Sequence, residues 1–390
     1  MAADILTKEV PGTAALDKGG WASLTALSCP SAGNCAGGGY YKATSSYGEA
    51  FVVTEKNGVW GKAQEVPGLP ALNKGIGGLT DAYLEHVSCP SAGNCTAAGY
   101  YMDAKGNLRV FVISQAGGLW GMAQEAPGFS ALSKASWAAV ETVSCATPGN
   151  CSVGGYYSDT PNTDQAFVVN QVRGRWQRTE EVPGTARLNT DGAADTDTIS
   201  CTTPGNCTAV GTYEVIGSGD VLAFAAAEVR GRWGQAHTLR LLEPSGGSVP
   251  ALWCARPGDC VAGGIADGPG ASLQAVVIKE TRGRWGQARL LPGTGVLNKD
   301  GQAAVSDLSC TSPGNCGAGG YYQDASRAYD AFAASERNGV WSKAIQVPGT
   351  STLDRGGKAG LQWVSCHNQR CDAGGYYTDS SGNQQVFVVG

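Results

Sequence analysis

Five times in this chain two tyrosines stand side by side: Tyr40-Tyr41, Tyr100-Tyr101, Tyr156-Tyr157, Tyr321-Tyr322 and Tyr376-Tyr377. After four of these pairs an aspartate follows with one residue between: Asp103, Asp159, Asp324 and Asp379. Other segments repeat a leucine followed by Asp17, Asn73, Asn189, Asn298 or Asp354, with Ser133 in the remaining copy, and most carry a Lys or Arg next. Trp21, Trp137 and Trp363 lie a few residues downstream. An exposed ring beside a carboxylate, an amide and a cation suits recognition of a sugar, which offers an apolar face and a rim of hydroxyls. Adjacent strand residues point to opposite faces, so one tyrosine of each pair packs inward and the other can meet a ligand. Tyr41, Tyr101, Tyr157, Tyr322 and Tyr377 are assigned that outward role. Aspartate is also favoured at the start of turns, and calcium at DAKGN (103–107) or DSSGN (379–383) would lack oxygen ligands.

The tyrosines belong to a longer string. SCPSAGNCAGGGYY (28–41) recurs as SCPSAGNCTAAGYY, SCATPGNCSVGGYY and SCTSPGNCGAGGYY. The fourteen cysteines form seven close pairs: Cys29 with Cys35, Cys89 with Cys95, Cys145 with Cys151, Cys201 with Cys207, Cys254 with Cys260, Cys310 with Cys316, and Cys366 with Cys371. A disulfide within each pair is the simplest reading, and it implies an oxidising compartment. Zinc usually needs four ligands, and the sequence has only three histidines to complete such sets. Each bridge closes a small ring worth about 2 kcal/mol, so the bridges lock turns and leave most of the stability to packing. Asn94, Asn150 and Asn206 sit in N-x-[ST] sequons whose middle residue is cysteine, and a turn role is expected of them.

The elements behind this pattern repeat about every 56 residues, seven times over the 390 residues. The third repeat reads AAVETVSC, CSVGGYYSD, QAFVVNQV and WQRTEEVPG, four short segments rich in Val, Tyr, Phe and Trp between turn residues. No segment holds a 3.6-residue apolar period. The expected fold is all-β: one seven-bladed β-propeller domain spanning residues 1–390, four antiparallel strands per blade. The opening ILTKEVPGTAAL matches only a fourth strand and the closing QQVFVVG only a third, so the N-terminal strand is expected to complete the C-terminal blade. Trp60, Trp120, Trp176, Trp233, Trp285 and Trp341 recur before x-x-A-x-x-V-P or a near variant, as packing between blades requires. Asp4 takes their place at the N-terminus.

The architecture resembles secreted seven-bladed β-propellers, and the S-C-x-x-x-x-N-C strings are similar to Cys-hairpin repeats of actinobacterial extracellular propellers. TEKNGVW (54–60) and SERNGVW (335–341) resemble the Asp-box turn of sialidase-type propellers, without its Asp and with a shorter spacing to Trp. The chain also resembles propeller lectins, a resemblance that implies repeated shallow sugar sites.

Net charge is −5 with no basic block, which excludes a general nucleic-acid binder. No apolar run is long enough to span a membrane, and MAADILTKEV has no apolar signal core. The expectation is a secreted, monomeric, multivalent carbohydrate-binding module with no cofactor, no metal and no catalytic residue assigned. A protein-interaction scaffold is the alternative. A glycoside hydrolase or lyase at the propeller's central channel is the second alternative, and would draw on Glu85, His86, Glu141, Asp195, Asp197 or Asp307. The fifth repeat has Ile265-Ala266 in place of the tyrosines and the fourth keeps only Tyr213, so binding should be lost or weakened there.

Overall fold

A computed structural model describes residues 9–44, 47–161, 163–189, 192–215, 217–243, 246–268, 272–299, 301–367 and 370–390. The protein is an all-β, seven-bladed β-propeller. It divides into two compact units, residues 1–182 with 203–205, and residues 183–202 with 206–390. The first unit holds three blades and the second holds four.

The third blade shows the pattern. Its strands run Ala138–Thr147, Asn150–Thr160 and Thr163–Val172, each antiparallel to the next. The outer strand is split, a difference from the expected single fourth strand: Arg175–Trp176 and Glu180–Glu181 both pair with the third strand. The reason lies in the segment between them. Thr179 donates its N–H to Pro127 O of the preceding blade at 2.7 Å instead of staying in the ladder. Ala63, Ala123, Ala236 and Ala344 donate to Pro11, Pro67, Pro183 and Pro292 in the same way, at 2.6–2.7 Å. That contact explains the spacing from Trp to Val-Pro-Gly. The glycine after each of these prolines opens a one-turn helix that links to the next blade; Gly184, at φ 93°, is one that only glycine adopts cheaply.

The third strands read as apolar runs because most of their residues are buried. Phe51, Phe111, Phe167, Phe224 and Phe332 are fully buried there, each stabilising the fold by about 2–3 kcal/mol. Cores form between consecutive blades: Val52 and Ala50 of the first with Leu84, Phe111 and Ile113 of the second, and Val261 and Val277 of the fifth with Val305, Leu308 and Phe332 of the sixth. Trp60, Trp120, Trp176, Trp285 and Trp341 pack against such clusters, as expected.

All seven expected cysteine pairs are disulfides, and each crosses the first hairpin of its blade. In the first unit they are Cys29–Cys35, Cys89–Cys95 and Cys145–Cys151, with Cα–Cα distances of 4.0–4.1 Å. The remaining four are Cys201–Cys207, Cys254–Cys260, Cys310–Cys316 and Cys366–Cys371, at 3.9–4.0 Å. The shorter spacing of the last pair leaves its bridge across the same hairpin, because Cys366 and Cys371 are direct partners in the ladder. No cysteine among the described residues is free. In the turn between the cysteines glycine takes the positive φ, for example Gly149 at 72°. The asparagine does not: Asn94 and Asn150 instead accept the N–H of Gly117 and Arg173, tying this turn to the turn before the outer strand. The serine before the first cysteine binds across to the next blade. Ser28, Ser88, Ser200 and Ser309 Oγ accept the N–H of Cys89, Cys145, Cys254 and Cys366 at 3.0–3.1 Å.

The seventh sheet has three described strands, Gly360–His367, Arg370–Thr378 and Gln384–Val389. The expected closing strand at ILTKEV and the Asp4 position fall on residues 1–8 for the most part, outside the described residues.

One contact recurs in every blade. The first strand carries an irregularity three to six residues before its cysteine, as between Val140 and Thr142 or Val305 and Asp307. It presses a carbonyl against the glycine that precedes the tyrosine pair, or Thr212-Tyr213 and Ile265-Ala266 where the pair is replaced. A Cβ at Gly39, Gly99, Gly155, Gly211, Gly264, Gly320 or Gly375 would lie 1.9–2.1 Å from the oxygen of Ser23, Tyr83, Ala139, Asp195, Ser248, Ala304 or Gly360. No side chain fits there. Gly155→Ala should cost about 3 kcal/mol through backbone displacement. Gly295→Ala, in a one-turn helix with open space around it, should be neutral or mildly stabilising. Urea unfolding of the two variants checks this.

Candidate functional site

The bulge and the glycine fix which tyrosine faces where. Tyr41, Tyr101, Tyr157 and Tyr322 are buried to within 3–4% exposure, which corrects their assignment as outward ligand contacts. Their rings sit against the neighbouring apolar clusters and their hydroxyls are used: Tyr101 OH donates to Glu125 Oε2 at 2.9 Å and Tyr322 OH to Asp330 Oδ2 at 3.4 Å. Burial and the adjacent acids push these phenols well above the usual tyrosine range. Tyr377, in the seventh blade, is half-buried.

The amides are also structural. Asn73, Asn189 and Asn298 are buried. Asn73 accepts the N–H of Met102 and of Asp81 and donates to Glu49 Oε2 at 3.0 Å. Asn189 and Asn298 fold back on their own loops through Gly192 and Gly301. A buried amide satisfied by backbone has nothing left to offer a ligand. The aspartates cap the turns that follow them. Asp103 Oδ1 accepts from Lys105 and Asn107 N–H at 2.8 and 2.9 Å, and its Oδ2 pairs with Arg109. Asp324 and Asp379 repeat the arrangement with Ser326 and Ala328, and with Ser381 and Asn383. Against desolvation, these backbone donors together with side-chain donors such as Ser326 and Arg109 hold all three carboxyls below the usual range. Asp159 accepts from Thr163 Oγ1.

The tryptophans remain on the surface: Trp21, Trp137 and Trp363 are 59%, 65% and 64% exposed. Trp21 and Trp363 meet first tyrosines of the pairs, which the sequence left unassigned. In the first unit Trp21 Nε1 donates to Tyr40 OH at 2.7 Å. Tyr83 then stacks between Tyr40 and Tyr100, with ring centroids 4.1 and 5.1 Å away, and fills the space between two blades.

In the seventh blade the equivalent of Tyr83 is Gly360, paired in register with Tyr376. A Cβ there would lie 3.5 Å from Tyr321 Cβ and 3.4 Å from Tyr376 Cε1, an ordinary contact with both walls. Removing a phenol between two tyrosines leaves a slot. It encloses about 300 Å³ and is lined by Tyr321, Tyr376 and Trp363 with Ser306, Gln362 and Leu361. Tyr321 is propped edge-to-face by Tyr329, whose hydroxyl donates to Gln302 Oε1 at 2.6 Å. Two rigid rings, an exposed indole, an amide and a hydroxyl thus converge on one opening. The signal available in the sequence was the glycine at a position otherwise held by Ser23, Tyr83, Ala139, Asp195, Ser248 and Ala304.

Two of the residues that an active centre would draw on, Glu85 and Asp307, hold blades together. Glu85 Oε2 accepts the N–H of Val140 and Asp307 Oδ2 that of Val364, both at 2.7 Å and both from the next blade. Asp195 Oδ1 accepts from Thr212 Oγ1 at 2.6 Å within its own blade. Burial raises the Glu85 carboxyl to about 8 against the pull of the Val140 N–H, with Glu141 adding to the rise. Burial lowers His86 to about 4.

No protein-family model matches the sequence, and no curated protein matches it. Among solved structures the chain is similar to a protein of unknown function from Dyadobacter fermentans, at 11% identity and TM-score 0.46, covering 75% of this chain and 90% of that one. It is also similar to a subtype N11 neuraminidase-like protein of A/flat-faced bat/Peru/033/2010 (H18N11), at 12% identity and TM-score 0.39, over 77% and 85% of the two chains. A glycoside hydrolase matches at 9% identity and TM-score 0.31, over 62% and 82%.

The two shifted groups give opposite pH dependences. Glu85 binds its proton more tightly when folded, so its contribution to stability is full below the unfolded value of 4.5 and is lost as pH rises through about 8. His86 is held neutral, so its contribution is present above 6.5 and lost as pH falls through about 4. Thermal unfolding should show wild type losing stability between pH 6.5, where the His86 contribution is complete, and about 8, with no further loss from Glu85 above that, and Glu85→Gln should flatten the loss while keeping an acceptor for Val140.

Proposed function

We propose that the protein is a secreted carbohydrate-binding module that takes a sugar ring into the slot between Tyr321 and Tyr376. The observation that carries this reading is the slot itself: two tyrosine faces and the exposed Trp363 around an opening of about 300 Å³, with Gln362 and Ser306 at its edge. A pyranose presents CH groups to aromatic faces and hydroxyls to amides and alcohols, and this lining offers both. The seven disulfides support an oxidising, extracellular setting. Equivalent positions differ in what they leave open. Tyr83 closes the slot between Tyr40 and Tyr100, and the register sets Ala139 opposite Tyr156 and Ala304 opposite Tyr321. Avidity would therefore come from unequal sites rather than from one site copied in each blade.

A glycan array followed by calorimetry tests the reading. Wild type should bind a neutral oligosaccharide at millimolar or tighter concentration. Trp363→Ala and Tyr376→Ala should each weaken it about tenfold. Gly360→Tyr should rebuild the closed arrangement seen at Tyr83 and abolish binding with the fold intact. Absence of sugar binding by the wild type, or binding unchanged in Trp363→Ala and Gly360→Tyr, overturns it.

A further inference from the structure

The repeat builds a second kind of concavity at the split outer strands, between consecutive blades. Between the first and second blades it is small, about 280 Å³, and Lys62 is its one charged lining residue. Between the fifth and sixth blades the corresponding groove encloses about 700 Å³. Lys279, Arg284 and Arg289 line it with Trp285, Trp341 and Leu290, and no carboxylate lines it.

Three changes in register create the difference. Lys279 replaces Thr54 and Ser114 of the first two blades, Arg284 replaces Val59 and Leu119, and Arg289 replaces Gln64 and Gln124. No other blade is basic at all three positions. Lys279 is paired with Glu336. Arg284 and Arg289 are exposed, and neither has an ion-pair partner among the described residues. Two unpaired guanidinium forks thus stand over a groove walled by half-buried indoles, in a chain whose net charge is −5.

We propose that this groove binds an anionic polysaccharide, with its carboxylates or sulfates on Arg284 and Arg289 and a sugar ring against the indoles. Arginine matches planar anions with two parallel N–H bonds, and Trp supplies the apolar face. An acidic peptide is the competing occupant, and the edge does not favour it. Added strands need a continuous ladder of free backbone groups. Here the outer strand exists only as Arg284–Trp285 and Arg289–Leu290. Between these pieces Gly286 N already donates to Lys279 O and Ala288 N to Arg240 O, at 2.9 and 2.8 Å. The site is separate from the tyrosine slot and stands without it.

Calorimetry on the full chain tests the proposal with four probes: tetragalacturonate, its methyl ester, a sulfated heparin tetrasaccharide, and poly-glutamate of matched charge. At least one of the two anionic glycans should bind, more weakly as salt rises, and the choice between them identifies carboxylate or sulfate. The neutral ester should bind about tenfold more weakly or not at all, and Arg284→Ala/Arg289→Ala should cost the same factor. Both arginines are exposed, so this variant should fold. Tyr376→Ala should leave the anionic glycan's affinity unchanged. Failure of both glycans to bind overturns the proposal, as does binding that survives the double variant, binding lost in Tyr376→Ala, or equal affinity for poly-glutamate.

Discussion

A carbonyl oxygen occupying the place of a missing side chain organises each blade. The irregularity in the first strand turns that oxygen toward the second strand, where the glycine before the tyrosine pair admits it at 1.9–2.1 Å from where a Cβ would sit. All seven blades have glycine there. The contact holds the register of the first two strands on the far side of the disulfide hairpin, and a slip of one residue would exchange the faces of everything that follows. The seven bridges, from Cys29–Cys35 in the first blade to Cys366–Cys371 in the last, fix the other end of the same strand pair. Each is worth about 2 kcal/mol.

From that register the distribution of chemistry follows. The second tyrosine enters the core between blades, where its hydroxyl needs an acid or hydroxyl partner and finds Glu125, Asp330 or, for Tyr213, Thr238. The first tyrosine is left half-buried at the blade's other face. Whether a pair of first tyrosines encloses a slot depends on one position on the first strand. Tyr83 fills it and Gly360 empties it. The outer edge obeys the same logic. A scaffold contact, the N–H donated to the preceding blade's proline, splits the strand, and the residues flanking the split are free to vary from Val59 to Arg284. The repeated contacts preserve geometry, and the variable positions beside them carry what differs between blades.

The fold was largely legible because its signals are local. Four apolar segments per repeat, the paired cysteines and the recurring tryptophan each specify a short element, and the repetition specifies the blade. The placement of individual polar side chains was less legible. Alternation shows that two adjacent tyrosines part, and it does not show which way, because the bulge that decides the direction leaves no mark on the second strand except its glycine. Asp103, Asp324 and Asp379 looked like ligand groups, and their oxygens are consumed by backbone N–H groups two and four residues on. Asn73 was misread for the same reason: its partners, Asp81 and Met102, come from distant points in the chain. Ser28 and its equivalents drew no attention, since their acceptor role exists only between blades. Gly360 carries its meaning by what it lacks.

The account turns on the claim that the bulged strand buries the second tyrosine of the first, second, third and sixth blades' pairs and leaves the first within reach of solvent. Tyrosine nitration of the native protein, read by fragment mass spectrometry that separates neighbouring residues, measures this directly. Tyr40, Tyr156 and Tyr321 should react while Tyr41, Tyr157 and Tyr322 stay protected until the protein is unfolded. Equal or reversed reactivity within the pairs would contradict the register, and with it the placement of every ring along this face.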